Sequence, residues 1–126
     1  MSIEDIDGNA APTQVGPNFI PGTRADAEIA RRLGFKVEIQ DGLVKIWERG
    51  APCLHDNWSV GPTYCEHDDL TTELLEERGI TPQVLADDAG CWFCVFERNG
   101  ELLRTPSFET DAFAIACALD FVLSSE

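Results

Sequence analysis

The chain has 126 residues, 44% of them hydrophobic, and sets 23 acidic side chains against 9 basic ones for a net charge of −14. That length holds one hydrophobic core, the hydrophobic share excludes a disordered chain, and the charge disfavours direct contact with nucleic acid or an anionic membrane. No apolar run approaches the roughly 18 residues of a membrane helix.

The opening Met1-Ser2-Ile3-Glu4-Asp5-Ile6-Asp7 is acidic and lacks the basic start and apolar centre of a signal peptide, so a cytoplasmic protein is expected. In that compartment the five cysteines are thiols or metal ligands rather than disulfides. Residues 1–22 carry Pro12, Pro17 and Pro21 with no sustained period. They read as a flexible N-terminal arm, with Phe19 and Ile20 able to clip onto a single domain spanning 23–126.

Thr23-Arg24-Ala25-Asp26 has the form of a capping box with Asp in place of Glu. Ala25, Ile29, Ala30 and Leu33 follow at helical spacing, and Gly34 is the stop. Phe35, Val37 and Ile39 then alternate with polar residues up to Asp41-Gly42, a pair suited to a type I′ turn because both central positions need φ > 0. A two-residue loop pairs Gln40 with Leu43, Ile39 with Val44, Glu38 with Lys45, Val37 with Ile46 and Lys36 with Trp47. The apolar pairs share one face, and the other face gains an opposite-charge pair and a cation–π contact.

Residues 50–67 form a long connection containing Pro52, Trp58, Pro62 and Tyr64. The next helix is expected to be capped by Asp68 or Asp69, to turn Leu70, Leu74 and Leu75 inward and to stop at Gly79. Thr81-Pro82 has the cap and first-turn form of a short helix over 82–87. A second hairpin over Cys91 to Thr105 turns at Asn99-Gly100, with Trp92, Cys94 and Phe96 on one face and Phe93 and Val95 on the other. The last helix, from Thr110 to about Leu123, is apolar over most of its circumference, which predicts deep burial or a homodimer contact. Cys117 within it reads as core. The expected fold is α+β: a four-stranded antiparallel sheet of two hairpins joined edge to edge, with helices packed on it as an α-β-α sandwich.

Ala27-Glu28-Ile29-Ala30-Arg31-Arg32-Leu33-Gly34-Phe35-Lys36-Val37 resembles the opening helix, glycine and strand of the phage ABA-sandwich domain family. Cys91-Trp92-Phe93-Cys94-Val95-Phe96 and Glu109-Thr110-Asp111-Ala112-Phe113-Ala114-Ile115-Ala116-Cys117-Ala118-Leu119 are similar to its closing hairpin and helix. The resemblance covers roughly residues 23–123. Where that family has an aromatic and a short Ser-Thr-Asp cap, this chain has Tyr64-Cys65-Glu66-His67-Asp68, of which the aromatic and the Asp match. The resemblance implies a sheet with helices on both faces and a bacteriophage or prophage origin. It brings no catalytic residues.

Two Cys-x-His pairs, Cys53/His55 and Cys65/His67, supply four zinc-competent ligands in a spacing that matches no standard knuckle. Cys91 and Cys94 have Cys-x-x-Cys spacing, but on a strand they face opposite sides. No phosphate loop, nucleophile elbow, zinc-protease or dinucleotide motif is present, so no enzymatic activity and no cofactor are expected.

Between Glu66 and Asp88 lie eight acids (Glu66, Asp68, Asp69, Glu73, Glu76, Glu77, Asp87, Asp88) and one base, Arg78. On a helix, Asp69, Glu73, Glu76 and Glu77 form one negative stripe. The bland account is a solvated face. The functional one is a partner-binding surface made by Glu66, Asp68, Asp69, Glu73, Glu76 and Glu77 that imitates a nucleic-acid backbone. The partner expected is then a host protein with a basic surface, and the role that of a phage accessory protein, an anti-CRISPR-like inhibitor of nucleic-acid-handling defence. Sequestration of a small nucleotide signal is the alternative, with Trp58, Tyr64 or Trp92 stacking on a base and Arg24, Arg31, Arg32 and Lys36 forming the pocket. A zinc-stabilised structural module is a third.

Overall fold

A computed structural model describes residues 12–47 and 58–126 of the chain. Its elements are β1 (Thr13–Gln14), α1 (Thr23–Arg32), β2 (Lys36–Gln40), β3 (Leu43–Trp47), β4 (Ser59–Val60), a 3-10 turn (Tyr64–Glu66), α2 (Asp68–Glu76), β5 (Gln83–Ala86), β6 (Trp92–Arg98), β7 (Glu101–Arg104) and α3 (Asp111–Ser124). The fold is α+β with helices packed on sheet, as expected.

Both hairpins form in the register that turn chemistry dictates. Asp41 and Gly42 take φ of 54° and 78°, Asn99 and Gly100 take 54° and 81°, and β2 pairs with β3 from Gln40↔Leu43 to Lys36↔Trp47. The hairpins do not join. One four-stranded sheet runs β1-β7-β6-β5 and a separate three-stranded sheet runs β2-β3-β4. Each hairpin finds its neighbours in short flanking strands instead: β4 lies antiparallel to β3, β5 antiparallel to β6, and β1 parallel to β7.

The layers also differ from an α-β-α sandwich. Helix α3 packs on β6 and β5, α1 packs on β2 and β3, and α1 and α3 pack on each other, with α2 against α3. Helices α1 and α3 therefore lie between the two sheets, and α2 packs on α3 and the 3-10 turn. This arrangement explains the breadth of the apolar surface on α3: Ala114 to Leu119, Val122 and Leu123 are all buried, and Phe121 packs against Phe96 at 6.3 Å between ring centres. Burial within the chain absorbs the surface that had suggested a homodimer contact.

Three further expectations are corrected. Residues 82–87 form no helix. Gln83–Ala86 is strand β5, because Val84 and Leu85 alternate across a sheet edge offered by Cys94 and Phe93, and that pairing outweighs the local Thr-Pro signal. The ordered chain begins before Thr23: Val15 is buried, its N–H bonds the Arg104 carbonyl at 2.8 Å, and Phe19 meets Phe108 edge to face at 5.9 Å. Residues 12–22 are thus a strap on the domain, while the rest of the expected arm lies outside the described residues. The helix caps are the third. Gly22, at φ 140°, opens α1 with no side-chain cap, and His67 rather than Asp68 or Asp69 opens α2. On α3 a side-chain cap does form, Thr110 Oγ1 accepting the Phe113 N–H at 3.1 Å.

Candidate functional site

Helix α2 is held from beneath by apolar and backbone contacts, which leaves its charged face free. Leu75 and Thr71 are fully buried, and the Thr71 hydroxyl bonds back to the His67 carbonyl at 3.2 Å. At the C-terminus Gly79 takes φ 76°. The Ile80 and Gly79 N–H groups there return to Leu75 and Glu76 at 3.1 and 3.0 Å, the paired bonds of a Schellman stop.

Glu66 in the 3-10 turn and Asp68, Asp69, Glu73, Glu76 and Glu77 along α2 are all exposed, and helical spacing puts Asp69, Glu73, Glu76 and Glu77 on the face away from Leu75 and Thr71. The ion pairs among the described residues are Arg31–Glu28, Arg32–Glu28, Arg32–Asp120 and Arg78–Glu126, so none draws on these six. Arg78, the base nearest the stripe in sequence, turns away from it: its Nε bonds Glu126 at 2.7 Å and its Nη1 bonds the Leu74 carbonyl at 3.0 Å. Asp68 and Asp69 lie in the first turn of α2, where the helix dipole favours them. Glu76 and Glu77 stand at the end where it does not. Beside the stripe, Leu33, Phe35, Pro62, Tyr64, Leu70 and Leu74 line a cleft of about 340 Å³, rimmed by Glu77 and Arg78.

The stripe is tied to α1 by a buried polar link. Asp26 is 4% exposed and its carboxylate accepts the Cys65 N–H at 2.8 Å. Burial raises its pKa, the Cys65 bond offsets part of that, and the nearby Glu66 charge adds to the rise. Burial likewise pushes the Cys65 thiol up to about 12 and raises Tyr64. Asp120, half-buried on α3, is also raised by burial and partly offset by Arg32. The capping-box pattern assigns Asp26 to a cap and misses its burial; the one signal for it is spacing shared with Ile29, Ala30 and Leu33, the stripe that faces inward.

The other candidate sets are not brought together. Trp58 lies next to β4 with the Lys45 ammonium 4.6 Å from its ring centre, Tyr64 is 3% exposed, and Trp92 stands on β6 in the other sheet. Tyr64 is thus too buried to stack on a base. Arg24 and Arg31 line a cleft of about 300 Å³ with Ala27, Glu28 and Ile39, but Glu28 and Asp120 already neutralise Arg31 and Arg32. Of the zinc candidates, Cys53 and His55 lie outside the described residues. Cys65 is buried with its thiol toward the Gly22 carbonyl at 3.9 Å, whereas exposed His67 bonds Thr63 through Nδ1 at 2.9 Å. Cys94 is buried and Cys91 half-buried. No cluster of three or more metal-competent side chains occurs among the described residues.

No helix among the described residues is long and apolar enough to cross a membrane. No family model, curated protein or solved structure matches the chain.

Proposed function

We propose that the chain is a binding protein that lays the acidic face of α2 on a basic, nucleic-acid-handling surface of a partner protein. The observation that carries this reading is six exposed carboxylates with no ion pair among the described residues. From Asp68 to Glu77 the acids are spaced at about one per 3 Å of helix axis, taking ~1.5 Å per residue. One strand of B-DNA carries about one phosphate per 3.4 Å. The Leu70–Leu74–Phe35 cleft beside the stripe adds apolar area, and an apolar centre with a charged rim is the usual anatomy of a protein interface. The bacteriophage setting, in which such a protein blocks an antiviral nuclease complex of the host, rests on the sequence resemblance of residues 23–123 alone.

The test is a pull-down from bacterial lysate at moderate salt, with wild type and the triple variant Glu73→Lys/Glu76→Lys/Glu77→Lys as baits. A basic nucleic-acid-handling protein held by wild type and released by the triple variant supports the reading. Equal capture by both baits refutes it.

A further inference from the structure

Among the described residues, the outer edge of β2 is unpaired. In the three-stranded sheet β2 neighbours β3 alone among the described residues, and α1 packs on both β2 and β3. Which residues offer their backbone along that edge follows from the turn. A type I′ turn bonds its first carbonyl to its fourth N–H, so Gln40 and Leu43 are a hydrogen-bonded pair. Alternation along the ladder then directs the N–H and C=O of Gln40, Glu38 and Lys36 toward β3 and those of Ile39, Val37 and Phe35 outward. The far side of the sheet agrees: Val44, opposite Ile39, turns its carbonyl away from β2 to accept the Gly61 N–H at 2.9 Å. Of the outward groups, the Phe35 N–H is taken by the Ala30 carbonyl at 3.1 Å.

We infer that this edge binds the same edge of a second copy of the chain, antiparallel, with Val37 opposite Val37. Only registers that set outward residues against outward residues can form bonds, and the side chains choose among these. Pairing Val37 with Ile39 would place Glu38 directly across from Glu38, like charges at the closest spacing in a ladder. Pairing Ile39 with Ile39 leaves Glu38 across from neutral Gln40. Pairing Val37 with Val37 places Lys36 across from Glu38 twice, by symmetry, and Phe35 across from Ile39 twice.

The edge is therefore complementary to itself in charge in one register. Lys36 and Glu38 are exposed and, among the described residues, in no ion pair. Ile39 is 43% exposed, an unusual place for an isoleucine that the second copy would cover. A two-fold contact of this kind is isologous and closes on itself, joining the two small sheets into one across the axis.

Charge elsewhere does not oppose the contact. Residues 23–47 carry Arg24, Arg31, Arg32, Lys36 and Lys45 against Asp26, Glu28, Glu38 and Asp41, so this side escapes the repulsion of a −14 chain. A lysine on an exposed edge is also a device that keeps strands apart. Glu38 two positions on converts it to a matching charge.

Light scattering after size exclusion, or sedimentation equilibrium, on the full chain at high micromolar concentration reads the mass directly. Wild type should have twice the chain mass. Lys36→Glu and Glu38→Lys should each return it to the monomer, and the double variant Lys36→Glu/Glu38→Lys, which restores both cross-pairs, should recover the dimer. Val37→Pro removes an outward N–H without touching the β3 ladder, so it should give a folded monomer by circular dichroism. A monomeric wild type, a dimer indifferent to Val37→Pro, or a double variant that stays monomeric would each overturn the proposal.

Discussion

The Asp26 carboxylate accepts the Cys65 N–H at 2.8 Å, joining two residues 39 positions apart. This bond fixes the 3-10 turn, and with it the start of α2, against α1. Its removal should be felt in stability. Asp26→Ala leaves the Cys65 N–H buried without an acceptor, at a cost of about 1–3 kcal/mol. Asp26→Asn keeps an acceptor and discards the buried charge, so it should match or exceed wild type at neutral pH. Urea titrations of the three proteins check both values.

The same carboxyl predicts a pH dependence. Burial raises the Asp26 pKa above its ordinary 3.8, so the folded chain holds that proton more tightly than the unfolded one. Its contribution favours folding below the unfolded value and is lost as pH rises through the folded one. Asp120 acts in the same direction. Asp87 opposes them: the Ser107 side chain and the Cys91 N–H hold its carboxyl low, so its contribution is present above the ordinary value and lost on acidification. Comparing Asp26→Asn with wild type isolates one group. The Tm advantage of the variant should widen as pH rises from about 4 to 7, and a constant offset would show that Asp26 titrates alike in both states.

Glu76 and Glu77 close α2 at the negative end of its dipole, with Glu73 one turn before Glu77. No contact among the described residues calls for acids there. Glu76→Lys or Glu77→Lys should therefore stabilise the fold by about 0.3–1 kcal/mol, from the dipole and from relief of like-charge spacing. A gain in Tm coupled to loss of partner binding in the same variant would mark the stripe as kept for recognition. A loss of Tm would point to a structural role.

Local chemistry decided what could be read in advance. Asp41-Gly42 and Asn99-Gly100 specify their turns through φ alone, and alternation about each turn sets the register, so both hairpins and their pairing follow from the chain. The exposed acids on α2 follow from helical spacing. What did not follow was long-range. Whether β3 pairs with β4 or with a strand of the second hairpin depends on competition among edges, which no local pattern ranks. The clip of Phe19 onto the domain is as its apolar ring suggests, but Val15 has no local signal because its partner, the Arg104 carbonyl, lies nearly ninety positions away. Asp26 looked like a cap because the Cys65 N–H that binds it lies beyond any local window.

Thiol reactivity should separate the cysteines. Burial pushes Cys65 and Cys94 up to about 12 and raises Cys117 further, so none of these offers thiolate at neutral pH. Cys91 is half-buried and borders a cleft with Pro21, Phe108 and Phe113. Brief alkylation of the folded protein followed by peptide mapping should find Cys91 modified well before Cys65, Cys94 and Cys117. Equal rates for all four would mean that the core opens on the labelling timescale.

The strap carries the last prediction. Gly16 lies at φ 65°, and a β-carbon built there would come within 2.7 Å of Cys117 Sγ, whose thiol also points to the Gly16 carbonyl at 3.7 Å. Gly16→Ala thus meets two separate costs: about 1–2 kcal/mol for an L side chain in the left-handed region and about 1–3 kcal/mol for overpacking against the sulfur. Cys117→Ala removes the second cost and leaves the first. A double-mutant cycle should accordingly show Gly16→Ala costing less in the Cys117→Ala background than in wild type, with a coupling of about 0.5–3 kcal/mol. Zero coupling would mean that the strap shifts off α3 when crowded, and that residues 12–22 are only loosely held. Coupling in the expected range would instead make the strap part of the same cooperative core as α3, because a steric clash can register in global stability only if both surfaces stay in place until the fold is lost.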